Sequence, residues 1–252
     1  MKFVIPSYNR PSSQLTLAYL NSIGYGRRDI IIQVQTLCDK SAYEQLYGDI
    51  ATVLYKAADR YSVNANNALR MLDGSETVVV MDDDIKSPMK WIPNTTRLEV
   101  PTRLQFDGSL KKLLSAMERF GAKIGTCYAS ANGLSIRGVC KNGEITKNRL
   151  SSGWLIIGKA RDIRFDESLT SCEDYEIQLR EISEGRNIVR LNSLAPNTIS
   201  RQRKNGPQKG GRGFSYQDQE HMRNIRRVVG MYYPIGIPSR KGTAIRINER
   251  YV

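Results

Sequence analysis

Val78–Asp84 reads VVVMDDD, four apolar residues that end abruptly in three aspartates, in a chain of 252 residues with a net charge of +13. An apolar, valine-rich run of this length bounded by polar residues is the signature of a strand covered on both faces of a parallel sheet. The aspartates therefore stand at its carboxyl end. In open α/β sheets ligands bind outside that edge, and clustered carboxylates there repel one another unless a cation holds them. A divalent metal carrying a phosphate suits them; a solvated turn is the plainer alternative.

Working back from this run, strand and helix alternate at short intervals. KFVIP is a short apolar strand, SSQLTLAYLNSI has helical spacing until Gly24, and DIIIQVQ is a second strand. SAYEQLYG predicts a short helix, ATVLYKA a third strand, and SVNANNALRMLDG an amphipathic helix stopped by Gly74. This rhythm predicts right-handed βαβ units and an α/β fold with a mixed, mostly parallel central sheet flanked by helices. After the aspartates, Ser109–Phe120 reads as a helix capped by Asp107 or Ser109. GTCYAS, GLSIRGV and WLIIG read as strands, Ser171 as the cap of a helix from about Glu173 to Glu184, and NIVRLNSL as a late strand. One domain is expected, with residues 1–200 as its core and 201–252 as a basic loop and C-terminal segment packed on it.

Charge is uneven along the chain. Residues 201–252 hold twelve Lys or Arg against three acids, which is +9 of the total +13. Such a tail suits a polyanion such as nucleic acid, or a phosphorylated small molecule. Within it, RQRKNGPQKGGRGFS replaces any apolar period by glycine, proline and cations, and predicts a flexible loop. The four cysteines (Cys38, Cys127, Cys140, Cys172) form no CxxC pair, which argues against a zinc cage or a disulfide framework. No stretch approaches the roughly 18 apolar residues of a membrane span, and MKFVIPSYNR has no cleavable signal pattern. A cytoplasmic protein is the expectation, in the host cytoplasm if the source is viral. No GxxxxGK[ST] occurs, which argues against a P-loop ATPase.

The single histidine, His221, follows the glycine-rich loop in SYQDQEHMRNI. Together with PSYNRP after the first strand, the Asn-rich helix leading into VVVMDDD, and the later acidic pair Glu173–Asp174, it completes an order of motifs. That order resembles the nucleotide-sugar-dependent glycosyltransferases of the GT-A fold, over about Lys2 to His221. The resemblance implies a UDP-sugar donor and Mn²⁺ or Mg²⁺ held by a DxD pair. Pro6, Ser7, Tyr8 and Arg10 would line the uridine pocket, Tyr8 offering a face to the base and Arg10 a donor to phosphate. Asp84 would be the more direct metal ligand and Asp82 closer to the ribose or sugar, with Asp83 sharing either role. Asn64 and Asn67, on one helix face, would hydrogen-bond the donor. Asp174 would be the catalytic base, with Glu173 as its alternative, although acids in a first helical turn also favour the helix dipole. His221 would close the metal shell, and Lys209 and Arg212 would cover the pyrophosphate.

Small basic transferases of this layout are similar to the phage-type DNA glycosyltransferases, in which a hydroxymethylated pyrimidine such as 5-hydroxymethylcytosine receives the sugar. The resemblance therefore implies a bacteriophage-type DNA-modifying hexosyltransferase, with DNA as acceptor and the basic tail as its phosphate footprint. A glycan, lipid or protein acceptor is the alternative. A non-catalytic nucleic-acid-binding protein would explain the tail but not the paired acids.

Overall fold

The computed structural model describes residues 1–198, 219–239 and 244–251. The first half contains β1 (Lys2–Pro6), α1 (Leu15–Ser22), β2 (Ile30–Val34), α2 (Leu37–Tyr47), β3 (Thr52–Tyr55), α3 (Tyr61–Arg70) and β4 (Thr77–Met81). Next come β5 (Ile85–Trp91), β6 (Leu98–Glu99), α4 (Arg103–Phe120), β7 (Ile124–Cys127), α5 (Gly133–Cys140), β8 (Ile145–Lys147) and β9 (Leu155–Lys159). The remainder holds α6 (Glu173–Ser183), β10 (Ile188–Leu191), β11 (Leu194–Thr198), α7 (Gln219–Tyr232), β12 (Gly236–Pro238) and β13 (Ile245–Ile247), then a one-turn 3₁₀ helix at Glu249–Tyr251.

Eight strands form the main sheet in the order β3-β2-β1-β4-β9-β7-β10-β8. β1, β2, β3 and β4 run parallel, while β9 lies antiparallel between β4 and β7. The expected mixed, mostly parallel sheet is thus present. Alternation along the central strands sends side chains to two cores. Phe3 and Ile5, Val79 and Met81, and Leu155 and Ile157 meet Leu17, Leu20, Phe106 and Leu110 of α1 and α4 on one face. Val4, Val78, Val80 and Ile156 meet Ala65, Ala68, Ile177, Ile225 and Val228 of α3, α6 and α7 on the other. Two buried faces explain why VVVM carries no polar residue.

The strand order reverses at β1: β2 lies on one side and β4 on the other. A topological switch point of this kind splays the two following loops and opens a crevice at the carboxyl edge. The Ser7–Arg10 loop and Asp82–Asp84 both leave the sheet there.

Several elements differ from the sequence reading. GLSIRGV is helix α5 rather than strand, because the Asn132 side chain accepts from the Leu134 and Ser135 amides and caps a turn in which only Ile136 is buried. α4 starts at Arg103, under a reciprocal capping box of Thr102 and Gln105. Asp107, expected as its cap, instead accepts from the Tyr25 hydroxyl. α3 ends at Arg70, before Gly74. The N-cap of α6 is Cys172, held at φ 66°, with no side-chain cap bond; the Ser171 hydroxyl faces α7 instead. β5, unread in the sequence, pairs with β11 and β6 in a separate three-stranded sheet.

Candidate active site

Ser7 leads out of β1 with its hydroxyl buried beside Asp83. Ser7 Oγ donates to Asp83 Oδ2 at 2.6 Å, and Arg10 Nη1 donates to Asp83 Oδ1 at 3.1 Å. An ionised carboxylate only accepts, so the single Ser7 proton goes to Asp83, and Tyr43, 2.7 Å from Ser7 Oγ, donates to that oxygen. Gln14 Nε2 reaches Ser7 Oγ and Tyr43 Oη, and the Arg10 amide also donates to Tyr43 Oη. Burial pushes the Tyr43 phenol up to about 12, which keeps it a neutral hydrogen-bonding hub. Arg10, expected to serve phosphate, thus spends one guanidinium nitrogen on Asp83, and both Asp83 oxygens orient the β1 loop. Pro6 is buried in the strand, whereas Tyr8 is 40% exposed and presents its ring at the crevice rim.

Asn64 and Asn67 turn their amide nitrogens to the protein's own carbonyls. Both are buried, and Asn64 Nδ2 donates to the carbonyls of Gln33 (2.9 Å) and Ser7 (3.2 Å), tying together the carboxyl ends of β1 and β2. Asn67 turns its amide toward the Ala57 carbonyl at 3.5 Å and lies near Arg70. Asn64 Oδ1 is buried with no hydrogen-bond partner among the described residues. Asn64→Ala withdraws the Nδ2 donor from two buried carbonyls and is expected to cost about 2–3 kcal/mol in urea unfolding. A change within about 0.5 kcal/mol, the range of an ordinary surface substitution, would remove the strand-tie role.

The turn after β4 is braced from both sides. The Asp82 amide donates to the Trp154 carbonyl at 3.2 Å, and Thr16 Oγ1 donates to the Asp82 carbonyl and accepts from the Ile85 amide. Trp154 stands just before β9, and its neighbour Gly153 donates its amide to Asp174 Oδ2 at 2.7 Å. A Cβ on Gly153 would come within 2.5 Å of the Asp174 Cβ, so only glycine permits this approach. The Tyr175 amide donates to Asp174 Oδ1 at 2.9 Å. Glu173 Oε2 is buried with no hydrogen-bond partner among the described residues. Burial, and then the charge of Asp174, push the Glu173 carboxyl up. Burial also raises Asp174, against the pull of the Gly153 and Tyr175 amides.

Tyr61, the first residue of α3, connects the two acidic groups and was not singled out in the sequence. Its phenol is pushed up by burial and then by the charges of Asp82, Glu173, Asp83 and Asp174, all close by. The only sequence signal was its place at the head of the Asn-rich helix. His221 Nδ1 lies 3.2 Å from Ser171 Oγ and 3.7 Å from Cys172 Sγ, and its charge acts on Asp174. Among the described residues, no three His, Cys, Asp or Glu side chains are grouped to hold a metal ion. The His221 ring is turned to the start of α6, beside Ser171 and Cys172. Lys209 and Arg212 lie outside the described residues.

The sequence profile of the TET-associated glycosyltransferases matches residues 1–207. The chain belongs to the TET-associated glycosyltransferase family. Membership meets the expectation of a glycosyltransferase. The fold of this family member is similar to that of a mannosyltransferase from Pyrobaculum calidifontis in complex with GDP-Man and Mn²⁺, with TM-score 0.53 and 16% identity over 90% of this chain and 60% of that one. It is also similar to GalNAc-T7 with UDP, GalNAc and Mn²⁺, with TM-score 0.58 and 10% identity over 92% of this chain and 48% of that one. The chain thus spans about half to three fifths of the length of these structures, and at such identities they show the GT-A-type fold alone. No curated protein sequence matches it. No helix among the described residues is long and apolar enough to cross a membrane.

Proposed function

We propose that this family member transfers a sugar from a UDP-sugar to a hydroxymethylated pyrimidine in DNA, with a divalent cation on the diphosphate. The observation that supports this reading is the pair of contacts that joins the two acidic groups: the Asp82 amide donates to the Trp154 carbonyl, and the amide of the adjacent Gly153 donates to Asp174. One group suits a cation and its diphosphate; the other suits an acceptor hydroxyl. Mg²⁺ and Mn²⁺ are commonly held by one or two carboxylates together with substrate phosphates and waters. The absence of a three-ligand cage among the described residues agrees with a cation that arrives with its nucleotide. Asp84 and Asp82 would hold it, and its charge would neutralise the negative charge that builds on the leaving diphosphate.

The protein's own groups do the rest. Tyr8 offers its exposed ring to the base, and Arg10, fixed through Asp83, places its own positive charge at the β1 loop. The acceptor oxygen forms a bond to the anomeric carbon while the bond from that carbon to the diphosphate oxygen breaks, its electron pair leaving with the diphosphate. The hydroxyl proton passes to Asp174, which two amides hold in one orientation. Glu173, with its raised carboxyl, stays protonated over a wider pH range and keeps a second charge away from Asp174. Direct displacement by such a base inverts the anomeric configuration.

DNA as acceptor is supported by the family's name and by the surplus of cations. A base receiving the sugar must be approached through the major groove or turned out of the stack. The test is UDP release from a panel of UDP-sugars with Mn²⁺, with and without DNA containing 5-hydroxymethylcytosine. Release stimulated only by the modified DNA is expected; release indifferent to DNA would leave the transferase and reject this acceptor.

A further inference from the structure

A second cleft, of about 530 Å³, opens between Arg149–Leu150, β10 and the β12–β13 hairpin. Arg149, Arg190, Arg246 and Arg250 line it and, among the described residues, face one carboxylate, that of Glu249. The sequence pattern explains the cations: Ile245 and Ile247 of β13 turn into the core, and the period of two turns Arg246 outward. Arg190 is fixed by three contacts. Its Nε donates to Asn192 Oδ1 and its Nη1 to the Leu150 carbonyl, both at 2.9 Å, and its guanidinium lies 5.3 Å from the centre of the Tyr128 ring. It makes no salt bridge among the described residues. Burial pulls its pKa down, and the neighbouring charge of Arg149 pulls the same way. A partly buried cation beside a second, exposed one is relieved by an anion with oxygens to spare.

The cleft also adjoins the acidic pair. Leu150, whose carbonyl holds Arg190, is three residues before Gly153, whose amide holds Asp174. Three residues span at most about 10 Å. The residues that hold Arg190 and the proposed base thus lie on one short stretch of chain.

We propose that this cleft holds the sugar–phosphate backbone of the nucleic-acid acceptor, with Arg246 and Arg250 on successive phosphates and Arg149 recruited from its pair with Glu249. The proposal rests on the reading of DNA as acceptor. Planar guanidinium groups on a rigid wall suit phosphate oxygens, and contacts of this kind set position without reading sequence.

The test is fluorescence anisotropy of the full chain with a labelled duplex containing 5-hydroxymethylcytosine, measured across a salt series. R246Q/R250Q is expected to weaken binding about tenfold near 0.1 M salt and to flatten the slope of log affinity against log salt by about two. E249Q frees Arg149 and is expected to strengthen binding and steepen the slope by about one, a gain that misfolding cannot mimic. Binding by the parent protein with both variants unchanged would overturn the cleft and leave the acceptor reading standing. A parent protein that binds no DNA would overturn both. Loss of UDP affinity without loss of DNA affinity in R246Q/R250Q would make the cleft a nucleotide site and overturn the proposal.

Discussion

Asp174→Asn is expected to lower kcat for sugar transfer about 10²–10⁴-fold, the usual contribution of a positioned general base, with little change in the KM for the donor. The asparagine keeps an oxygen for only one of the two amides and cannot take a proton, so chemistry is lost while one orienting bond survives. Glu173→Gln is expected to stay within about tenfold of the parent. In the parent, burial holds both carboxyls above their usual range, and the charge of Asp174 raises Glu173 further. Activity should therefore fall as the pH drops through the raised range of Asp174, and Glu173→Gln should leave this acid limb in place because Glu173 is already protonated there. Stability follows the opposite sense. Groups whose folded pKa is raised stabilise fully below their unfolded pKa, and that contribution is lost as the pH rises through the folded values. Glu173→Gln should therefore raise Tm at pH 8 by about 2–4 °C, corresponding to about 1 kcal/mol, and leave it unchanged near pH 4. Thermal melts at the two pH values, beside the pH–rate profile, check both signs. Equal activity of Asp174→Asn and parent would exclude Asp174 as base, and a Tm gain confined to pH 4 would contradict the repulsion.

Asp84→Ala is expected to lower UDP affinity in the presence of Mn²⁺ by at least about a hundredfold and to make it insensitive to a chelator. The reason is that one of two carboxylates disappears where phosphate oxygens alone cannot hold the cation. Isothermal titration of UDP with Mn²⁺ and with chelator reads the effect, while a circular dichroism melt reads the fold. Asp84 sits in the turn beyond β4, outside both apolar cores, so Tm should move by less than about 2 °C. Asp83→Ala forms the contrast. Its loss strands Ser7 and Arg10 and should disturb the β1 loop whether or not a metal is present. Retention of metal-dependent UDP binding by Asp84→Ala would place the cation elsewhere.

Much of this site was legible in the chain because it lies next to a strong signal. A buried parallel strand has to be apolar on both faces, so VVVM announces itself, and the aspartates after it must fall on the carboxyl edge. The helix of Glu173–Asp174 was legible from its apolar spacing and its acidic first turn. GLSIRGV was misread because an apolar run of this length fits strand and helix equally, and the choice was made by the Asn132 side chain capping two amides. The asparagines of α3 are polar residues at core positions. Their pattern suggested ligand contacts, and what the sequence did not show is that the Asn64 amide nitrogen ties two strand carbonyls.

The sequence by itself determined the α/β class, the carboxyl-edge position of Asp82–Asp84 and the excess of cations, because these depend on local periodicity, chain order and composition. The tertiary structure decided which charges meet. It reversed β9 so that Gly153 reaches Asp174, placed Tyr61 among four acids, bound Arg10 to Asp83, and gathered arginines from positions 149, 190, 246 and 250 around one cleft. Those pairings join residues far apart in the chain, and electrostatic energy depends on their separation in space, which no local pattern encodes.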